Sequence, residues 1–359
     1  MTIEEKEKRI PITLITGFLG SGKTTLLNRL LQDPLFTNSA VIINEFGEVS
    51  IDHLLVVKTT EGIIELANGC LCCDLRSDLI NTLIDFIDRI QTGRLKKLDR
   101  IIIETTGLAD PAPILQALLS HPDLAQAFTI DAVLATCNTL NTISILEQYP
   151  EAQKQFVFAD TILLTKTDLL DSKIPLETLI KTLKAINPTA QIINAHSHQF
   201  CLKTLINKTL WDAKEENTHL KKWFTFSQNH HSHHKKIRTF SLDCEEPIHY
   251  SALESFLDHI KSLYSQKLLR IKAIIALHDD PHRPIILHGI QAFFHPPIRL
   301  PKWPKGITQT RFIIITDNLE KETIQEIFDI FLNKPAIDTA DKIALLDNPL
   351  VIPGMTFKT

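Results

Sequence analysis

The stretch "IPITLITGFLGSGKTTLLNRLL", residues 10–31, constrains this chain more than any other. A β-branched apolar run (10–16) leads into a glycine-rich loop, and the loop opens straight into a helical pattern. Gly17, Gly22, Lys23 and Thr24 fit G-x-x-x-x-G-K-[ST] within "GFLGSGKTT" (17–25). Glycines at these places let the backbone turn its N–H groups toward phosphate oxygens, and the helix that follows adds its positive end. Lys23 is then the mobile cation for the β- and γ-phosphates, and the Thr24 hydroxyl the expected Mg²⁺ ligand. An ordinary glycine turn needs neither a strand before it nor a helix after it; here both are present.

The rest of the first 200 residues repeats the alternation. Near-continuous apolar runs at 40–45, 100–104, 131–137, 161–166 and 191–195 read as strands buried on both faces. Patterns at 74–90 and 175–186, apolar at three- and four-residue spacing, read as helices between them. The fold class expected is α/β: a P-loop NTPase with a mostly parallel sheet flanked by helices. After a polar, histidine-rich stretch the pattern changes to strands at 237–244, 268–279, 283–294 and 310–317, with helices at about 249–263 and 320–332. That is a smaller C-terminal α+β domain. The expected division is 1–211, a linker at 212–236, a second domain at 237–332, and a surface tail at 333–359.

Composition excludes several classes. Lys and Arg number 38 against 42 Asp and Glu, a net charge of −4, so no basic field draws nucleic acid and no polybasic face holds a membrane. No apolar run reaches the roughly 18 residues of a spanning helix. The charged opening "MTIEEKEKRI" lacks a signal core, so a cytoplasmic protein with reduced thiols is expected.

Two further elements suit a nucleotidase. Strand "RIIIE" ends in Glu104, where a carboxylate beside the phosphate loop can hold Mg²⁺ through water. Three residues on, the Gly107 N–H can meet the γ-phosphate and lose that bond on hydrolysis. In "TKTD", Asp168 can accept from both the ring N–H and the exocyclic amine of guanine, a donor pair adenine lacks, with Lys166 across the base. Alone, Asp168 would read as a helix N-cap; beside the phosphate loop it reads as the selector of GTP. The loop "NAHSHQ" (194–199) is placed to close over the base.

"NGCLCCD" puts Cys70, Cys72 and Cys73 within four positions. Core packing fits poorly, because the turn lies between a glycine and a helix start. Cys70 and Cys73 form the C-x-x-C of a redox pair, but Cys72 would invite scrambling. Three thiolates suit Zn²⁺, and the helix starting near Asp74 lowers their pKa values. The fourth position falls to Glu48, water or a client residue, and an incomplete cage is what a donor needs. "HHSHH" (230–234) stays open between metal collection and solvated linker, and packing is expected for Cys137, Cys201 and Cys244.

Taken together, "GFLGSGKTTLLNRLL", "NEFGEVSID", "NGCLCC", "ETTGLADP" and "TKTD" resemble the CobW-type family of metallochaperone GTPases. "LLRIKAII" and Trp303 are similar to that family's C-terminal domain. The resemblance implies that Gly20, Ser21, Gly22, Lys23, Thr24 and Thr25 bind phosphates, Lys166 and Asp168 guanine, and Cys70, Cys72 and Cys73 the metal. "NEFGEVSID" (44–52) would be the switch, with Glu45 and Glu48 near the γ-phosphate or the metal. Two positions depart from the pattern: Thr165, where many guanine-binding proteins have asparagine, and Asn138, where many relatives carry aspartate. The expected activity is GTP hydrolysis, slow without a partner, coupled to delivery of zinc to a client metalloprotein. Alternatives are a zinc buffer or sensor with little turnover, an ATP-using kinase, and Co²⁺ handling for corrinoid synthesis. A homodimer is a further open partner reading.

Overall fold

In a computed structural model the structure describes residues 9–43, 63–65, 74–95, 98–170, 176–197, 200–206, 236–304 and 306–333. The amino-terminal unit runs β1 (Ile10–Gly17), α1 (Lys23–Leu31), β2 (Ser39–Ile43), β3 (Ile63–Glu65), α2 (Asp74–Gln91) and β4 (Arg100–Glu104). It continues with α3 (Ala112–Ser120), α4 (Pro122–Ala127), β5 (Phe128–Asn138), α5 (Thr142–Gln148), α6 (Pro150–Phe158), β6 (Thr161–Thr165), α7 (Leu176–Ile186) and β7 (Gln191–Asn194). The strands form one seven-stranded sheet in the order β3-β2-β4-β1-β5-β6-β7, with every pairing parallel.

The continuous apolar runs fill both faces of this sheet. Alternate residues feed opposite cores: Ile12, Leu14, Ile101 and Ile103 pack with Leu79, Leu83 and Phe86 of α2. Ile15, Ile102 and Leu134 pack with Leu26, Leu27 and Leu30 of α1 on the other side. The first strand in sequence lies at the centre, so its carboxyl end opens where the strand order reverses, the place where such sheets bind ligands.

The second unit comprises β8 (Ile237–Cys244), α8 (Tyr250–Tyr264), β9 (Leu268–Leu277), β10 (Asp280–Ile290), β11 (Phe293–Phe294), β12 (Ile298–Arg299), β13 (Thr310–Asp317) and α9 (Lys321–Phe328). Its antiparallel sheet runs β11-β10-β9-β13-β8, with β12 beside β10. The expected 268–279 and 283–294 strands are shifted: β9 ends at Leu277, and β10 starts at Asp280 opposite it. Gln291, in the left-handed region at φ 51°, ends β10 and folds β11 back onto Gly289 and Ile290. One face is covered by α8 and α9, where Phe256, Phe312 and Phe328 meet edge to face. From the other, Ile237, Leu269, Ile290 and Ile315 join the core of the first unit.

Charged residues accompany that apolar contact. Arg270 and Lys272 on β9 are both 1% exposed and share the carboxylate of Asp160, just before β6. Arg270 also donates to the carbonyls of Val157 (3.1 Å) and Ala159 (2.8 Å). Burial would push the Asp160 carboxyl up, but Arg270 and then Lys272 outweigh it and hold it far below the usual carboxylate range. Asp160→Ala would leave two buried cations without their shared counter-ion. A loss of about 3–5 kcal/mol in unfolding free energy is expected, measured by urea denaturation.

Candidate nucleotide site

The loop between β1 and α1 is held from beneath. Gly17 has φ 142°, and a Cβ there would lie 2.3 Å from the Thr136 hydroxyl of β5, so only glycine fits. The buried Ser21 hydroxyl meets that of Thr136 at 2.6 Å, and the Ser21 carbonyl accepts from the Thr165 hydroxyl at 2.8 Å. Gly20 lies in the loop, and Gly22 caps α1. Lys23, 9% exposed, folds back so that its ammonium donates to the Phe18 carbonyl at 3.3 Å. Thr25 faces outward on the first turn of α1.

The two residues expected to attend Mg²⁺ come together. The Thr24 hydroxyl donates to Glu104 Oε1 at 3.0 Å, and Glu104 is 5% exposed at the end of β4. A hydroxyl and a carboxylate are the hard oxygen donors that Mg²⁺ prefers, so this pair fits the ion. Gly107 is buried against the loop: a Cβ on it would sit 2.5 Å from Leu19 Cδ2 and 2.7 Å from the Leu19 backbone nitrogen.

At the far end of the crevice β6 stops at Thr165, one residue short of the expectation, because Lys166 takes the left-handed conformation at φ 56°. That turn presents Asp168 to solvent, where its carboxylate pairs with His196 Nε2 at 3.2 Å. Asn194 Oδ1 accepts from the Thr167 hydroxyl (2.7 Å) and the His196 N–H (2.9 Å), which fastens the loop after β7 to the "TKTD" turn. Arg29 of α1 donates to the Ala195 carbonyl at 3.3 Å and stacks over Phe200. His196 could not be singled out in sequence. Its only signal was its place in a polar loop directly after the last strand.

Cys70, Cys72, Cys73, Glu45, Glu48 and the histidines of 230–234 lie outside the described residues. Among the described residues no group of three or more His, Cys, Asp or Glu side chains could hold a metal. Cys137 and Cys244 are buried as expected, and burial pushes the Cys137 thiol up to about 12 despite its bond with Thr142. Cys201 is exposed, so packing does not account for it.

Strand, phosphate loop, helix and carboxylate at the switch in strand order define a P-loop nucleoside triphosphatase. The model of the CobW/HypB/UreG nucleotide-binding domain matches residues 11–194, and that of the cobalamin synthesis protein cobW C-terminal domain matches 237–332. The zinc chaperone YjiA of Escherichia coli is 32% identical over 319 residues, covering 89% of this chain and 98% of its own. The zinc chaperone CobW of Pseudomonas aeruginosa is 27% identical, covering 88% and 90%. The crystal structure of the Zn(II)-bound YjiA GTPase from E. coli superposes with a TM-score of 0.67 at 28% identity, over 90% of this chain and 99% of that one. This chain belongs to the CobW family.

Gly107→Ala tests the packing of the two loops. Its Cβ must displace Leu19 and the phosphate loop, an overpacking cost of about 1–3 kcal/mol, so nucleotide affinity should fall by about tenfold or more. Fluorescent-nucleotide titration would read the change.

Proposed function

We propose that the protein is a GTP-hydrolysing metallochaperone: it binds zinc at the Cys70, Cys72, Cys73 turn and passes it to a client protein according to nucleotide state. The names of its relatives as zinc chaperones support zinc as the cargo, with Co²⁺ the competitor to test against it. The observation that carries the reading is strand register. Ile43, the last residue of β2, is paired with Glu104 on one side and with Glu65, the last residue of β3, on the other. The switch segment (44–52) therefore leaves from a strand end next to the Mg²⁺ pair. The cysteine turn begins five residues after Glu65, which lies two strand spacings, about 10 Å, from Glu104. Asp74, the residue after Cys73, is the first of α2.

In this reading the backbone around Gly17–Thr25 cradles the phosphates, and Lys23 neutralises the β- and γ-phosphates. Mg²⁺, held through Thr24 and Glu104, offsets charge on the transferring phosphoryl group. Gly107 senses the γ-phosphate, and loss of that contact on hydrolysis frees the switch and loosens the metal. Asp168 reads guanine, so its pair with His196 must open when the base enters. The chain divides at 211, 236 and 332 into nucleotide domain, linker, second domain and tail. Among the described residues no helix is long and apolar enough to cross a membrane.

Anaerobic zinc titration of the wild type and a Cys70→Ser, Cys72→Ser, Cys73→Ser variant, with and without a GTP analogue, tests the coupling. The analogue should change wild-type zinc affinity by about 5–150-fold, and zinc should change analogue affinity by the same factor. Equal zinc affinities in the two states would sink the proposal. In a separate competition assay, Asp168→Ala should lose the preference for GTP over ATP while retaining triphosphate binding; an unchanged preference would remove Asp168 from base selection.

A further inference from the structure

Residues 107–110, the loop that follows β4, are gripped from α6. Gln155, fully buried, donates from Nε2 to the carbonyls of Gly107 and Ala109, each at 3.1 Å. Its neighbour Lys154 forms an ion pair with Asp110 at 2.8 Å. Adjacent residues of a helix point in different directions. The loop is therefore held from two sides rather than at one point.

The Gln155 amide is only half used. Its Oε1 is buried with no hydrogen-bond partner among the described residues. A buried amide oxygen left so costs about 1–3 kcal/mol, which calls for a reason. The loop it grips carries Gly107, which is packed against Leu19 of the phosphate loop. Gly107 can thus be drawn by α6 through its carbonyl and by the γ-phosphate through its N–H, and a shift toward either changes the geometry of the other contact.

The carboxyl end of α6, within a turn of Gln155, is fastened to the second unit. Arg270 on β9 holds the Val157 and Ala159 carbonyls, two and four residues beyond Gln155. Asn187, at the end of α7, donates to the carbonyls of Phe156, Val157 and Ala159, each at 2.9 Å, and so locks the same turn. From Gln155 to Val157, the anchor that lies within the helix, is about 3 Å of helical rise, less than one turn. Few soft links separate Gly107 from the central strand of the second sheet.

We propose that Gln155 is the positioning residue that sets Gly107 against the γ-phosphate, and that α6 carries the displacement of this contact to the second unit through Arg270. The proposal rests on the reading of Gly107 as the γ-phosphate sensor. It also goes beyond that reading, because it ties nucleotide state to the second unit through Arg270 on β9. Gln155 acts through the Gly107 and Ala109 carbonyls, so its effect is on discrimination between triphosphate and diphosphate, not on nucleotide binding as such.

The test uses the full chain, with affinities for a non-hydrolysable GTP analogue and for GDP measured separately. Hydrogen exchange of peptides covering Leu268–Leu277 is followed in both states. Gln155→Leu removes both donors, and Gln155→Asn keeps the amide but withdraws it by one methylene and serves if the leucine variant does not fold. Either should lower the ratio of analogue to GDP affinity by about fivefold, the value of one or two ordinary hydrogen bonds, with GDP affinity within about twofold of wild type. In the wild type the β9 peptides should exchange differently in the two states, and in the variants alike. Arg270→Lys, which keeps a charge for Asp160 but cannot span both carbonyls, should also lower the ratio from a site remote from the nucleotide. A wild type that discriminates the nucleotides while a folded Gln155 variant discriminates them equally well overturns this proposal alone. A wild type that binds neither nucleotide overturns the GTPase reading and this proposal with it.

Discussion

The buried carboxylate of Asp160 is the point on which the two units depend. It takes Arg270 and Lys272 from the second sheet, and its other oxygen accepts the Val133 N–H of β5 at 3.1 Å. Removing such charges from water is costly, and a well-packed apolar contact would stabilise the joint about as well. What the ionic contact adds is register. The Arg270 fork fits only where the Val157 and Ala159 carbonyls and the Asp160 carboxylate converge. Burial and then the Arg270 charge pull the Lys272 ammonium down to about 7, and burial together with the same cations keeps the neighbouring His288 well below its ordinary value. The cluster therefore tolerates little displacement, and the carbonyls at the end of α6 are fixed with it.

The same aspartate fixes the base-binding end of the first sheet. Its N–H donates to the Val133 carbonyl at 2.8 Å, which starts β6 in register, and β6 runs only from Thr161 to Thr165 before the "TKTD" turn. At that end Thr165 explains its own departure from asparagine: its hydroxyl reaches the carbonyls of Ser21 and Cys137, stitching β6 to the phosphate loop and to β5. Asn138 turns its side chain to the Leu140 N–H, capping the chain reversal after β5. The phosphate and base ends of the crevice are thus joined by hydrogen bonds beneath it.

What was legible in the sequence follows from how local each signal is. The phosphate loop, Glu104 and the buried strands announce themselves within a few residues, because a strand covered on both faces must be apolar throughout. β3 has three residues, too few for a pattern, and β10 begins before its apolar run because the tight reversal after Leu277 sets its pairing. Arg270 and Lys272 sit inside an otherwise apolar run, and the counter-ion that lets them be buried lies 110 residues upstream of Arg270. Gln155 and His196 are ordinary polar residues whose partners, Gly107 and Asp168, are near them only in three dimensions. No local pattern could name them.

The sheet order gives the phosphate crevice two neighbours of different kinds. On one side of β4 lie β2 and β3, which end at Ile43 and Glu65. The loop leaving β4 itself is held by α6, whose carboxyl end belongs to the contact with the second sheet. In the proposed reading a single event, loss of the γ-phosphate contact at Gly107, is felt by both. The free energy of that contact is finite, typically 1–3 kcal/mol of coupling, and is shared between them. A client that held the second unit in the position it takes with GTP would then oppose release of the metal, and one that favoured the GDP position would promote it. Delivery would follow docking by thermodynamic linkage, without any contact between the client and the nucleotide.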